Sequence, residues 1–262
     1  MNSLTRPSLQ SAFGALDLLS SETVKEADAL TLFETDAPGM RLLLGLPNTQ
    51  AWTEQTQQRC RWLLAIVTGL DLALGLAQRQ ALSWIQHPFP DPQDLSPADR
   101  IHADGLQGLI SLYEHLKDSA VPRYQQQRAH IRAPFAQDHP SPVDRPFGAL
   151  DLLILPRITA DDLQDLLEIS PTKLAPLLAV PAITEAITAD ATFQAKARRL
   201  LGLLIAFQNC TNLPQSRALT WLANEAPPAL GKTPLQLFQD REVDGYEMVY
   251  NYLQSKAMGG YE

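Results

Sequence analysis

The residue types that carry most enzyme chemistry are sparse in this chain, and their spacing does not suit it. Histidine occurs at His87, His102, His115, His130 and His139. None forms the H-E-x-x-H pattern or the paired His/Cys spacing that would bring three or four ligands around a zinc ion. The chain is read here as carrying solvated surface histidines. Cys60 and Cys210 are the two cysteines, too few for a disulfide framework or a four-thiolate site. No sequence neighbour points to a depressed thiol pKa, so they read as small buried or half-buried residues. There is no glycine-rich phosphate loop and no G-x-S-x-G nucleophile elbow. Acidic neighbours such as Asp161-Asp162, or Asp240 with Glu242, suit helix starts and solvated surface. The expectation is a non-enzyme with no catalytic, metal or cofactor residue.

Composition agrees with that reading. The 262 residues are 45% hydrophobic and 19% charged, enough apolar material for a packed core. The net charge is −8, the wrong sign for a general phosphate binder. Met1 to Gln10 lacks the basic-then-apolar order of a secretory signal. The most apolar run, Trp62 to Leu76, contains Asp71 and falls short of the roughly 20 residues a spanning helix needs. A cytoplasmic location with reduced thiols, away from membranes, is expected.

The chain is written twice. Phe13-Gly-Ala-Leu-Asp-Leu-Leu19 recurs letter for letter as Phe147-Gly-Ala-Leu-Asp-Leu-Leu153, an offset of 134. Leu43-Leu-Gly-Leu-Pro47 matches Leu177-Leu-Ala-Val-Pro181 at the same offset. After three inserted residues the offset becomes 137 and holds from Arg61–Tyr124 to Arg198–Tyr261. Within it Ala81-Leu-Ser-Trp-Ile85 matches Ala218-Leu-Thr-Trp-Leu222, and Ser96-Pro97 matches Thr233-Pro234. Collinear matches of this length point to an old tandem duplication. The expected organisation is a first copy over 1–121, a Pro- and Gln-rich linker over 122–144 and a second copy over 145–262. Residues 1–120 hold 8 basic and 14 acidic side chains, and residues 145–262 hold 10 and 13. Neither copy is the basic one.

These residues must be positioned by helices. Thr159 followed by Asp161 and Asp162 reads as an N-cap with an acidic first turn. Leu163, Leu166 and Leu167 then form one apolar stripe at i, i+3, i+4. Glu168 to Ser170 reads as a turn into a second helix carrying Leu174, Leu177 and Leu178. Long apolar helices are predicted at Arg59–Leu72 and Lys196–Gln208. A further helix spans Gln215–Asn224, Thr233-Pro234 caps a short one, and Asp244-Gly245 turns the chain into a last helix, Tyr246–Ala257. No alternating strand pattern of useful length appears. The expected fold class is all-α, with two similar subdomains packed as an intrachain pseudo-dimer.

The duplication repeats aromatic and apolar residues above all: Trp84 with Trp221, Tyr113 with Tyr250, and the Phe-Gly-Ala-Leu-Asp-Leu-Leu segment. Their simplest role is core packing, and a repeated partner-binding surface is the sharper one. The glycine in that segment costs a helix about 1 kcal/mol relative to alanine, so its recurrence suggests close helix packing.

In the second copy a known order emerges: Arg198-Arg-Leu-Leu201, Arg217-Ala-Leu-Thr-Trp-Leu222, Ala229-Leu-Gly-Lys-Thr-Pro-Leu-Gln-Leu-Phe238, Gly245 and Gly259-Gly-Tyr261. It resembles the MbcA/ParS/Xre antitoxin family over about residues 157–262, and the first copy follows the pattern more faintly. The resemblance implies an Xre-like helix-turn-helix near 157–180 and a toxin-binding domain over 198–262. It also implies a partner, a RES-type toxin that consumes NAD, with its active site blocked partly by the C-terminal segment Met258, Gly259, Gly260, Tyr261 and Glu262. Family members commonly dimerise and repress their own operon, and Ser170, Thr172 and Lys173 would be the DNA-facing residues here. The chain departs from the family at Lys232, which replaces a glycine, and at Pro176, which interrupts the recognition helix. The first copy offers Asp36-Ala-Pro-Gly-Met-Arg41 there. Base reading needs Arg, Lys, Asn or Gln in the groove and phosphate clamps besides, so repression by this chain alone is not expected.

Three readings follow. The leading one is a duplicated antitoxin-like protein that neutralises a cognate toxin, as a monomeric pseudo-dimer or a homodimer. The second is a DNA-binding regulator. The third is a helical adaptor that kept the scaffold and lost the toxin.

Overall fold

A computed structural model describes residues 13–74, 76, 78–86, 96–118, 147–188, 190–211 and 213–257. Among them the regular elements are helices and no strand occurs. The chain divides into two compact units, residues 1–19 with 23–130 and residues 20–22 with 131–262. The expected linker over 122–144 lies outside the described residues, as do His87, His130 and His139.

Unit 1 is built from α1 (Gly14–Leu19), α2 (Glu26–Leu32), α3 (Ala37–Leu43), α4 (Glu54–Leu74), α5 (Gln78–Gln86), α6 (Pro97–Asp104) and α7 (106–118). α4 is its axis. Leu63, Leu64, Ile66, Val67 and Leu70 are buried along it, and α1 and α5 pack against it. Local chemistry starts two of the shorter helices. The Asp36 carboxylate accepts from the Gly39 N–H at 2.8 Å. Ser96 Oγ accepts from the Asp99 N–H at 3.1 Å while Asp99 Oδ2 accepts from the Ser96 N–H at 3.3 Å. That reciprocal pair satisfies two N–H groups a helix start leaves orphaned.

Unit 2 comprises α8 (Gly148–Ile154), α9 (Ala160–Leu167), α10 (Pro171–Leu177), α11 (Glu185–Thr188), α12 (Ala191–Thr211), α13 (Gln215–Asn224) and α14 (Pro234–Ala257). α12 is the counterpart of α4: Leu200, Leu201, Leu204 and Phe207 are buried on it, and α8, α13 and α14 pack against it. α9 begins with the expected cap, Thr159 Oγ1 accepting from Asp162 N–H at 3.1 Å and Asp162 Oδ2 accepting from Thr159 N–H at 2.8 Å. Leu163, Leu166 and Leu167 are buried as the stripe requires. Thr233 and Gln236 cap α14 in the same reciprocal way.

Two expectations need correction. Asp244-Gly245 is not the turn before the last helix; the break in α14 is at Glu242, with φ 49° and ψ −124°. Gly245 lies inside the helix instead, where an added Cβ would stand 2.2 Å from the Leu237 carbonyl oxygen. The glycine is needed for close backbone approach. Pro176 does not interrupt α10, which runs through it to Leu177. It sits in the last turn, where the missing N–H removes one bond without ending the helix.

Backbone conformations agree at matching positions of the two units. Glu34 and Glu168, 134 apart, have φ of 47° and 52°; Gly45 and Ala179, also 134 apart, have φ of 61° and 48°. Gly105 and Glu242, 137 apart, have φ/ψ of 58°/−124° and 49°/−124°.

Candidate functional site

The surface-bearing elements of unit 2 are held by buried polar side chains that grip backbone carbonyls. Arg198, 1% exposed, reaches the end of α8. Its Nη1 donates to Leu153 O at 2.8 Å, and its Nη2 donates to Leu155 O at 2.6 Å and Pro156 O at 3.1 Å. A helix C-terminus leaves its last carbonyls unpaired and partially negative, so a guanidinium there satisfies hydrogen bonds and complements the helix dipole. Arg61 in unit 1 does the same for α1, its Nη1 donating to Leu19 O at 2.8 Å. Burial lowers the Arg61 pKa to about 10, leaving the group charged at neutral pH.

The end of α10 is held by two further groups. The Lys196 Nζ donates to Ala179 O at 3.0 Å. The Tyr246 hydroxyl, on the half of α14 after the break, donates to Leu177 O. Burial pushes the Tyr246 phenol well above its ordinary range, so it remains a donor. Its ring stacks on Phe238 from the half of α14 before the break, centroids 4.0 Å apart and planes 2° from parallel. Tyr246 therefore ties both halves of α14 to α10.

Held in this way, α10 presents its first turn outward. Ser170, Thr172 and Lys173 are exposed, and the Ser170 and Thr172 hydroxyls lie 2.8 Å apart. These three are the residues assigned to DNA contact by resemblance, and Lys173 supplies their single positive charge. In unit 1 the matching helix, α3, offers less. Its Arg41 is buried, bonded to Gln50 O at 2.6 Å and Ala37 O at 3.0 Å, and ion-paired with Glu26 at 2.7 Å. An arginine spent inside the fold cannot clamp a phosphate.

A second polar feature lies where α12 meets α14. Arg199 Nη2 is 2.7 Å from Glu247 Oε1, and its guanidinium stands 6.0 Å from the Tyr250 ring centroid. At the matching place in unit 1, Trp62 makes an edge-on contact with Tyr113, centroids 5.4 Å apart at 81°. The tyrosine is kept in both units, buried at 1% and 2% exposure, while its partner changes from aromatic to cationic. Trp221 is buried between Phe207 and Tyr252, with centroids 5.3 and 6.4 Å away. Tyr113, Tyr250 and Trp221 are core residues, as their spacing suggested.

His102 and His115 are exposed. Among the described residues no group of three His, Cys, Asp or Glu side chains could hold a metal ion. Among them also, no helix is long and apolar enough to cross a membrane. Cys60 is fully buried, and burial pushes its thiol up to about 12. Cys210 is half-buried, its thiol donating to Leu253 O at 3.0 Å and pushed up by burial to about 11. Both thiols are protonated near neutral pH, which makes them poor nucleophiles. Met258, Gly259, Gly260, Tyr261 and Glu262, assigned to toxin contact by resemblance, lie outside the described residues.

The holding groups were not singled out as such from sequence. Arg198 has a signal, since Arg61 stands at the matching position 137 residues earlier. Tyr246 has none, because its counterpart is Leu109. No family model, curated protein or solved structure matches the chain.

Proposed function

We propose that the chain is an antitoxin-like protein that binds and neutralises a cognate toxin, by resemblance a RES-type enzyme consuming NAD. One observation supports the reading: four residues of the resembled pattern that lie among the described ones each have a part in building unit 2. Arg198 holds α8, Trp221 fills the core, Thr233 caps α14 and Gly245 permits the close approach of its backbone to Leu237. Met258–Glu262 follow α14 in the sequence. Small residues there suit entry into a narrow cleft, with Tyr261 supplying contacts.

In this reading the two copies come from a tandem duplication and pair within the chain where members of the resembled family pair two chains. A tether of about 23 residues keeps the copies at high effective concentration, so pairing within the chain outcompetes pairing between chains. Regulation of an operon by direct DNA binding is disfavoured by the α10 and α3 surfaces. Lys173 is the one basic residue within α10, and Arg41 is committed internally. Co-expression with the toxin encoded by a neighbouring reading frame tests the proposal. Restored growth supports it. Continued toxicity, or no toxin in the neighbourhood and none recovered by pull-down, overturns it.

A further inference from the structure

Glu242 occupies a backbone conformation that favours glycine. Its φ of 49° and ψ of −124° match the first central position of a type II′ turn, where a Cβ is crowded. Such strain is costly and persists only where surrounding contacts impose it. Unit 1 avoids the cost at the same break with Gly105, at φ 58° and ψ −124°.

The neighbouring residues change in step. In unit 1, Arg59 Nη1 donates to Leu44 O at 3.1 Å and Gly45 O at 3.0 Å. A Cβ at Gly105 would lie 3.2 Å from that same Nη1. The matching position in unit 2 is Lys196, whose slimmer ammonium takes Ala179 O alone among the bonds described. At the matching positions unit 2 thus carries a lysine and a strained glutamate where unit 1 carries an arginine and a glycine. Its break also carries what unit 1 lacks, the Tyr246 hydroxyl bond to Leu177 O across to α10. Leu109, the residue matching Tyr246, has no hydroxyl.

We propose that Glu242 and Tyr246 make α14 a strained hinge held shut by a latch, so that release of residues 243–257 and loosening of α10 are one coupled event. Strain at Glu242 favours opening, and the Tyr246 bond with its Phe238 stack opposes it. Because a coupling free energy is reciprocal, a partner gripping the exposed face of α10 alters the release of 243–257. A partner pulling on that segment alters α10 by the same factor. The inference concerns the fold of unit 2 and stands apart from the toxin-binding reading.

Hydrogen exchange of the full chain, read segment by segment, tests it with Glu242→Gly and Tyr246→Phe. Glu242 is exposed, so the glycine removes strain without emptying a core site, although its unfolded-state entropy offsets part of the gain. The expected result for Glu242→Gly is a higher melting temperature and roughly fivefold slower exchange over 243–257 and α10. For Tyr246→Phe it is roughly tenfold faster exchange in those two segments together, with 97–118 and α12 unchanged. The proposal is overturned if Glu242→Gly melts at or below the temperature of the native chain. It is equally overturned if Tyr246→Phe speeds 243–257 while α10 stays protected, or speeds α12 to the same extent.

Discussion

Arg198 Nη1 and the Leu153 carbonyl oxygen lie 2.8 Å apart, and Arg61 Nη1 lies at the same 2.8 Å from the Leu19 carbonyl oxygen. Each arginine seals the C-terminus of the first helix in its unit from a site on the central helix. Replacing Arg198 by alanine leaves three carbonyls without this donor and opens a cavity. An unsatisfied buried polar group costs about 1–3 kcal/mol, so Arg198→Ala should lose about 3–4 kcal/mol of unfolding free energy. Arg198→Lys, which retains charge with a single donor head, should lose less. Denaturant unfolding reads both.

The glycines of unit 2 separate two demands on a glycine. At Gly245 an added methyl would stand 2.2 Å from Leu237 O and 2.6 Å from its carbonyl carbon, both backbone atoms that cannot swing away. Gly245→Ala should therefore cost about 2–3 kcal/mol, the range for overpacking a filled core. At Gly231, φ is 68° and nothing lies within 4 Å of the added atom. Gly231→Ala should cost only the left-handed backbone term, about 1 kcal/mol. Equal losses in thermal melts would contradict this distinction.

Cys60 makes stability depend on alkaline pH. Its thiol ionises near 9.0 when exposed and at about 12 when buried. The stability this thiol contributes is fully present below pH 9 and falls as pH rises toward 12, because the unfolded chain gives up the proton first. Arg61, lowered to about 10, works in the opposite sense above that pH, where the folded chain gives up its proton first. The clean window is pH 9 to 10. Across it the native chain should lose about 1 kcal/mol relative to Cys60→Ala, the residue found at matching position 197. Urea midpoints of both chains at the two pH values measure it.

The proposed pairing of the two copies within the chain predicts a particle of one chain in light scattering, at 28.9 kDa. A mass of twice that value at micromolar concentration would mean that the copies pair between chains.

Much of the helical scaffold is written in local sequence. Thr159 with Asp162 and Thr233 ahead of Pro234 announce helix starts, because capping needs only residues three apart. Gln215–Asn224 is bounded as read, with prolines beyond its end. The break in α14 was legible only by comparison. A lone Glu242 gives no local signal for a positive φ, whereas Gly105 at the matching place does. Gly245 misleads for the same reason, since a glycine required by a neighbouring carbonyl looks like one required by a turn. The grips made by Tyr246 and Lys196 span 69 and 17 residues, and no periodicity within one helix encodes such distances.

The proposed toxin-neutralising role is tested most directly by purifying a RES-type toxin encoded by a neighbouring reading frame and following its NAD loss while the full chain is titrated in. Loss of NAD should stop near stoichiometric addition. A chain ending at Ala257 should still bind but leave much of the NAD consumption running. Unchanged NAD consumption at saturating full chain would contradict the role.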